Sequence, residues 1–239
     1  YAGHEQVRAN YLAYLAAAKL VRRLKIEAIY MPYENYAWEK LTRSAVSKYA
    51  EKIKVVAFQH AQVALNATKF FLGREESHPE LLPGKLVTLG EVTRDILIRH
   101  CHYPPQKLET GCALRQNYTA VGGPRKRTRN NRILVQLWSV EKSARLINFL
   151  HASQVHPERY RLTLNYHPCN PLEKLITHLD FKYENHFPQA EGTLEENFRG
   201  HDLVIYHGTT TSLDALANGL PVLEVEFDDF ITVDPLFAF

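Results

Sequence analysis

The sequence predicts an α/β protein made of two doubly wound parallel-sheet domains, and three observations carry that reading. Apolar runs of strand length alternate with amphipathic runs of helix length along almost the whole chain, the rhythm of right-handed strand-helix-strand crossovers. The alternation breaks once, at "GGPRKRTRNN", residues 122–131, where two glycines, a proline and a cluster of charge mark a linker. Charge changes sign across that break: residues 1–132 hold 22 Lys and Arg against 11 Asp and Glu, whereas residues 133–239 hold 7 against 15. One domain is therefore expected over residues 1–121, a linker over 122–132 and a second domain over 133–239.

The elements follow in order. "YLAYLAAAKLVRRL" carries leucines and alanines at helical spacing and a basic end. "EAIYMPYEN" is a short apolar strand that runs into polar residues, "AWEKLTRSAVSKYAEKI" an amphipathic helix, and "KVVAFQH" a buried strand that again ends polar. Beyond Pro83-Gly84 come the strand "KLVTLG" and the helix "EVTRDILIRH". Past the linker the series is strand "RILVQLW", helix "EKSARLINFLHAS", strand "RLTLNYH", helix "PLEKLITHL", short strand "FKYEN", helix "LEENFRG", strand "DLVIYHG", helix "TSLDALANG" and strand "PVLEVEF". Five strands in the second half approach a complete doubly wound unit. The first half offers three, so its domain is either compact or has opening strands upstream of Tyr1.

Composition excludes several classes. A chain of 239 residues with 45% hydrophobic residues buries a real core, and its longest apolar runs stop short of the roughly 20 residues of a membrane-spanning helix. Three cysteines, Cys101, Cys112 and Cys169, suit a reducing compartment, and no signal peptide is visible, which gives a cytoplasmic expectation. The basic run near residue 126 has no interleaved aromatic residue to stack a base, so no nucleic acid partner is expected. His100, Cys101, His102 and Cys112 match no usual zinc spacing, and no metal and no other cofactor is expected.

In a doubly wound sheet, ligands sit beyond the carboxyl ends of the strands, where a starting helix offers unpaired N–H groups to an anion. "YHGTTTSLDALANGLPVLEVE" fits that position: Gly208 allows a close turn, Thr209, Thr210, Thr211 and Ser212 supply hydroxyls and backbone donors, and Asp214 can accept from ribose hydroxyls. The same residues read equally as a capping box, since Thr211 and Asp214 stand three apart. "LNYHPCNP" sets His167 and Pro168 at another strand end, where an imidazole can donate to a phosphate oxygen. Two strand ends so furnished favour a nucleotide.

The pairing of "NYHPCNP" with "HDLVIYHGTTTSLDALANGLPVLEVE" resembles the donor-binding domain of GT-B fold glycosyltransferases, above all the bacterial capsule and lipopolysaccharide transferases that use cytidine-activated sugars. The resemblance covers residues 133–230 and implies two Rossmann-like domains. It also implies that His167, Pro168 and Thr209 to Ser212 hold the nucleotide phosphate and donor, and that Asp214 takes a place many of these enzymes give to a ribose-binding glutamate. "VTLGEVTRDILIRHCHYPPQKLETGCALR" resembles the end of a GT-B N-terminal domain, with Arg115 facing the cleft.

Sugar transfer needs a group that takes the acceptor hydroxyl's proton. Glu34, just past a strand end, is the expected base, with Glu39 the weaker choice and His60 at the next strand end close by. Glu34 also reads as a cap for the helix that starts near Ala37. Tyr36 and Trp38, with Tyr33, read either as platforms for an acceptor sugar or as core. The expected activity is an inverting, metal-independent transfer from a nucleotide sugar, CMP- or UDP-linked, to a glycan or lipid-linked acceptor at the inner membrane face. The alternatives are a UDP-sugar 2-epimerase and a non-catalytic binding module.

Overall fold

The computed structural model describes residues 2–111, 130–154, 159–167, 169–184, 187–228 and 231–237. The chain divides into two compact units, Tyr1–Val63 with Ala67–Asn117, and Ala64–Asn66 with Tyr118–Phe239. Residues 122–129 of the expected linker lie outside the described residues.

The first unit is a parallel four-stranded sheet in the order β1 (Ala28–Tyr33), β2 (Lys54–Gln59), β3 (Lys85–Thr88) and β4 (Leu108–Thr110). Helix α1 (Ala2–Arg23) packs on α2 (Ala37–Tyr49) through Ala17, Ala18 and Ala45, small side chains that let the two backbones approach. Helix α3 (Glu91–Arg99) connects β3 to β4. The core gathers Met31, Tyr33, Val46, Val55, Ala57, Phe70, Leu82, Leu86 and Leu97. β4 is an addition to the three strands expected: three residues long and exposed at two of them, it has too little apolar alternation to be read from sequence. In-register pairing of Tyr33 with Gln59 brings the residues that follow, Glu34 and His60, to the same carboxyl edge.

The second unit has β5 (Arg132–Gln136), β6 (Arg161–Asn165), β7 (Leu203–Tyr206) and β8 (Val222–Glu224), all parallel, in the order β6-β5-β7-β8. The order reverses between β5 and β7, the switch point of a doubly wound sheet. Central β5 is apolar on both faces. Ile133 and Val135 join Leu146 and Ile147 of α4 (Val140–Ala152) and Leu175 of α5 (Leu172–Leu175) on one side. Leu134 joins Phe198 of α6 (Leu194–Gly200) and Ala215 of α7 (Thr211–Ala217) on the other.

"FKYEN" is not a strand over its described residues 181–184. Its alternating aromatics serve packing instead: Phe181 stacks on His151 with centroids 3.7 Å apart, and the Tyr183 hydroxyl donates to the Phe187 carbonyl at 2.6 Å. The outer edge of β6 is met further on, where Leu164 N donates to Pro188 O and Ala190 N to Leu164 O, each at 2.8 Å.

Candidate functional site

Two groups of side chains stand at the carboxyl edges of the two sheets. In the second unit the switch point is flanked by the turn after β5, Leu137–Ser139, and the turn after β7, His207–Thr210. The β7 turn depends on Gly208, whose φ of +67° lies in the left-handed region and whose pro-chiral hydrogen faces Val233 so closely that a Cβ would stand 2.4 Å from Val233 Cγ2.

The helix begins one residue earlier than the capping-box reading requires. Thr210 is the N-cap and Thr211 the first helical residue, so Asp214 falls at the fourth helical position and the box does not form. The hydroxyls divide into two sets. Ser212 Oγ is fully buried and donates to Thr209 O at 2.9 Å, while Thr209 and Thr211 pair with each other at 3.2 Å. Thr210 stays exposed, and the N–H groups of Thr209 and Thr210 find no acceptor among the described residues. With only seven residues, α7 aligns few peptide dipoles, so these local donors matter more than a helix field.

Behind the turn lies a buried brace. Tyr206 Oη donates to Asp234 Oδ1 at 2.8 Å, and Leu236 N donates to the same oxygen at 2.9 Å. His207 stands 4.0 Å from Glu224 Oε1 and edge-on to Phe227. Burial, with the nearby Asp234 carboxylate, pushes Glu224 up to about 8 against the opposing N–H of Gly208.

His167 follows β6, on the other side of β5, so two strand spacings, about 10 Å, separate its strand from β7. That distance exceeds one phosphate group and suits a nucleoside diphosphate. His167 Nδ1 accepts from Cys169 N at 3.2 Å, which leaves the proton of the neutral ring on Nε2, where it can be donated to an anion. Trp138, which the sequence reading did not single out, sits between the two at the end of β5, 39% exposed and approached by the Lys142 ammonium. Its place at the end of the first strand after the linker was the available signal. Pro168 and Arg115 lie outside the described residues.

In the first unit, Glu34 and His60 meet: Glu34 Oε1 is 2.7 Å from His60 Nε2. The other carboxylate oxygen is taken by the Lys69 ammonium, which also donates to Tyr36 Oη at 3.0 Å. Lys69 escaped the sequence reading because it sits in a long loop without periodicity. Asn35 brings it in: with φ of +65° it turns the chain after Glu34, and its Nδ2 donates to Lys69 O at 2.6 Å. The buried Tyr33 hydroxyl donates to Asn35 Oδ1 at 2.9 Å and fixes that amide.

Glu34 does not cap α2. Glu39 does so, reaching back to accept from Tyr36 N at 2.9 Å and Glu34 N at 3.0 Å. Burial pushes the Glu39 carboxyl up to about 7 in spite of those bonds. Tyr36 remains exposed with Lys69 over its ring, whereas Trp38 packs against the first core. Cys101 is buried in that core, and among the described residues no three His, Cys, Asp or Glu side chains cluster as metal ligands.

No protein-family model and no curated protein matches the chain. Solved structures do. A glycosyltransferase from Rickettsia africae ESF-5 matches with a TM-score of 0.52 at 12% identity, over 90% of this chain and 62% of that one. MnaA of S. aureus, in co-structure with UDP, matches with a TM-score of 0.57 at 8% identity, over 97% and 66%. A UDP-N-acetylglucosamine 2-epimerase matches with a TM-score of 0.50 at 13% identity, over 94% and 62%. The chain therefore has the GT-B-type fold its sequence resembled, and it spans 62% to 66% of the length of these three chains.

Proposed function

We propose that the protein is a GT-B glycosyltransferase that moves a sugar from a CMP- or UDP-sugar to a glycan or lipid-linked acceptor in surface-polysaccharide synthesis, with inversion and without a metal. The observation that carries this reading is the open donor set at the β5/β7 switch point: the N–H groups of Thr209 and Thr210 and the exposed Thr210 hydroxyl on one turn, with the Nε2–H of His167 across β5. These are neutral or weakly charged donors suited to a phosphate that gains charge as the sugar departs. A UDP-bound chain and a glycosyltransferase among the similar structures support the same reading. Asp214 is assigned to the ribose, and Glu34 with His60 to the acceptor's proton. The basic first half, whose α1 also exposes Val7, Tyr11, Leu12 and Leu15, suits an anionic inner membrane surface.

Thermal unfolding with CMP, CDP, UDP, GDP and ADP tests the reading, since a nucleotide at a hundred times its Kd stabilises by about 2.7 kcal/mol. Thr210→Val and His167→Ala are each expected to weaken the preferred nucleotide about tenfold, the loss of one hydrogen bond to a charged group. A flat response to all five nucleotides removes the proposed site.

The second reading, a sugar-nucleotide 2-epimerase, is favoured by the third of the similar structures. Incubation with UDP-N-acetylglucosamine alone separates the two. Formation of the 2-epimer without acceptor replaces the transferase reading.

A further inference from the structure

We infer that the atom that takes the acceptor's proton is Nδ1 of His60, with Glu34 as the residue that positions the imidazole and Lys69 as a third member that holds Glu34. The inference rests on the transferase reading for its chemistry and on the first unit alone for its geometry. Both oxygens of Glu34 are engaged, one by His60 Nε2 at 2.7 Å and the other by the Lys69 ammonium. Its side chain is 12% exposed, against 38% for His60. Water or a sugar hydroxyl thus reaches the imidazole before the carboxylate. A Glu34 ionised beside an ammonium has no proton to give, so the hydrogen shared with His60 belongs to Nε2. The neutral ring then carries its lone pair on Nδ1, which has no hydrogen bond among the described residues.

The support for this arrangement is built in depth. Register between β1 and β2 sets residues 34 and 60 side by side, and Asn35, 5% exposed, ties the Lys69 backbone to the same turn. A simple surface ion pair requires none of this.

In the transfer step, the acceptor O–H proton passes to Nδ1 and the acceptor oxygen bonds to the anomeric carbon. The bond from that carbon to the nucleotide's phosphate oxygen breaks, and the nucleotide leaves with the electron pair. Glu34 keeps its hydrogen bond to Nε2–H and balances the imidazolium until the proton is lost to water.

Two measurements test the inference. Long-range proton–nitrogen NMR spectra of the ¹⁵N-labelled, ligand-free chain should show neutral His60 as the Nε2–H tautomer, relaxing to a mixture in Glu34→Ala and in Lys69→Met to a smaller degree. An Nδ1–H tautomer in the wild type, or one indifferent to Glu34→Ala, overturns it whatever the protein binds. Nucleotide release from UDP- and CMP-sugars with acceptor provides the second measurement. His60→Ala should lower kcat by about 10² to 10⁴, with partial recovery on addition of free imidazole, while Glu34→Gln loses less and KM holds. A larger loss for Glu34→Gln with no recovery of His60→Ala by imidazole moves the base to Glu34. His60→Gln serves if the alanine variant fails to fold. The tautomer result stands apart from nucleotide binding, so failure of the nucleotide panel with the expected tautomer rejects the transferase reading alone.

Discussion

Gly208→Ala is expected to destabilise the second unit by about 2–5 kcal/mol and to remove its response to nucleotide. Two costs combine. An alanine at φ of +67° pays left-handed strain of about 1–2 kcal/mol, and its Cβ would stand 2.4 Å from Val233 Cγ2 and 2.9 Å from Val233 Cβ, an overpacking of about 1–3 kcal/mol. The unfolding midpoint should fall by about 10 °C. Val233→Ala added to Gly208→Ala removes Cγ2 but neither the strain nor the 2.9 Å approach, so the pair should recover part of the loss, with a coupling of about 1–2 kcal/mol. Because Gly208 sets the direction of Thr209 and Thr210, nucleotide stabilisation should stay lost in the double variant. A loss below 1 kcal/mol for the single change, or full recovery of both stability and binding in the double one, contradicts this account of the turn.

The turn also illustrates what the sequence could and could not convey. Glycine, threonines and serine between a strand and a helix located the switch-point loop, because both readings open to those residues, anion site and helix cap, place them at the turn from strand to helix. Which hydroxyls remain open was not legible. Helix initiation at Thr211 rather than Ser212 turns Ser212 inward onto Thr209 O and leaves Thr210 outside, a difference of a single residue that periodicity does not resolve.

At the first site, the polar ends of two consecutive strands were enough to pair Glu34 with His60, since parallel strands in register carry their next residues to one edge. Lys69 and the capping role of Glu39 depend on the left-handed turn at Asn35, and an asparagine announces such a turn only weakly. The same limit explains the sheet errors. β4 is too short to show a pattern, and Phe181 and Tyr183 alternate like a strand while serving as a cover over the second core.

Stability should fall as pH rises from about 4.5 to about 8, by about 1.4 kcal/mol for each unit by which a folded carboxyl is raised, because of two buried carboxyls. Glu39 is pushed up to about 7 and Glu224 up to about 8 from an ordinary 4.5, each chiefly by burial. A raised folded value means that the folded chain keeps a proton the unfolded chain releases, so the stabilisation is complete below 4.5 and disappears as pH passes through 7 and then 8. Glu76 and Glu196 are held low, by Lys40 and by the Thr193 N–H respectively, and so complete their ionisation below this window. Unfolding by urea at pH 5, 6, 7 and 8 measures the slope. Glu39→Gln and Glu224→Gln should each flatten it, less stable than wild type at pH 5 and equal or more stable at pH 8, and together they should nearly abolish it. Stability that climbs with pH across this range, or an unchanged slope in both variants, would mean that neither carboxyl holds its proton where burial places it. The consequence reaches the turn proposed to bind nucleotide, for Glu224 Oε1 stands 4.0 Å from Nδ1 of His207, the first residue of that turn: an ionised Glu224 adds negative charge behind the groups proposed to receive a phosphate, so nucleotide affinity should weaken over the upper part of the same pH range and Glu224→Gln should remove that weakening.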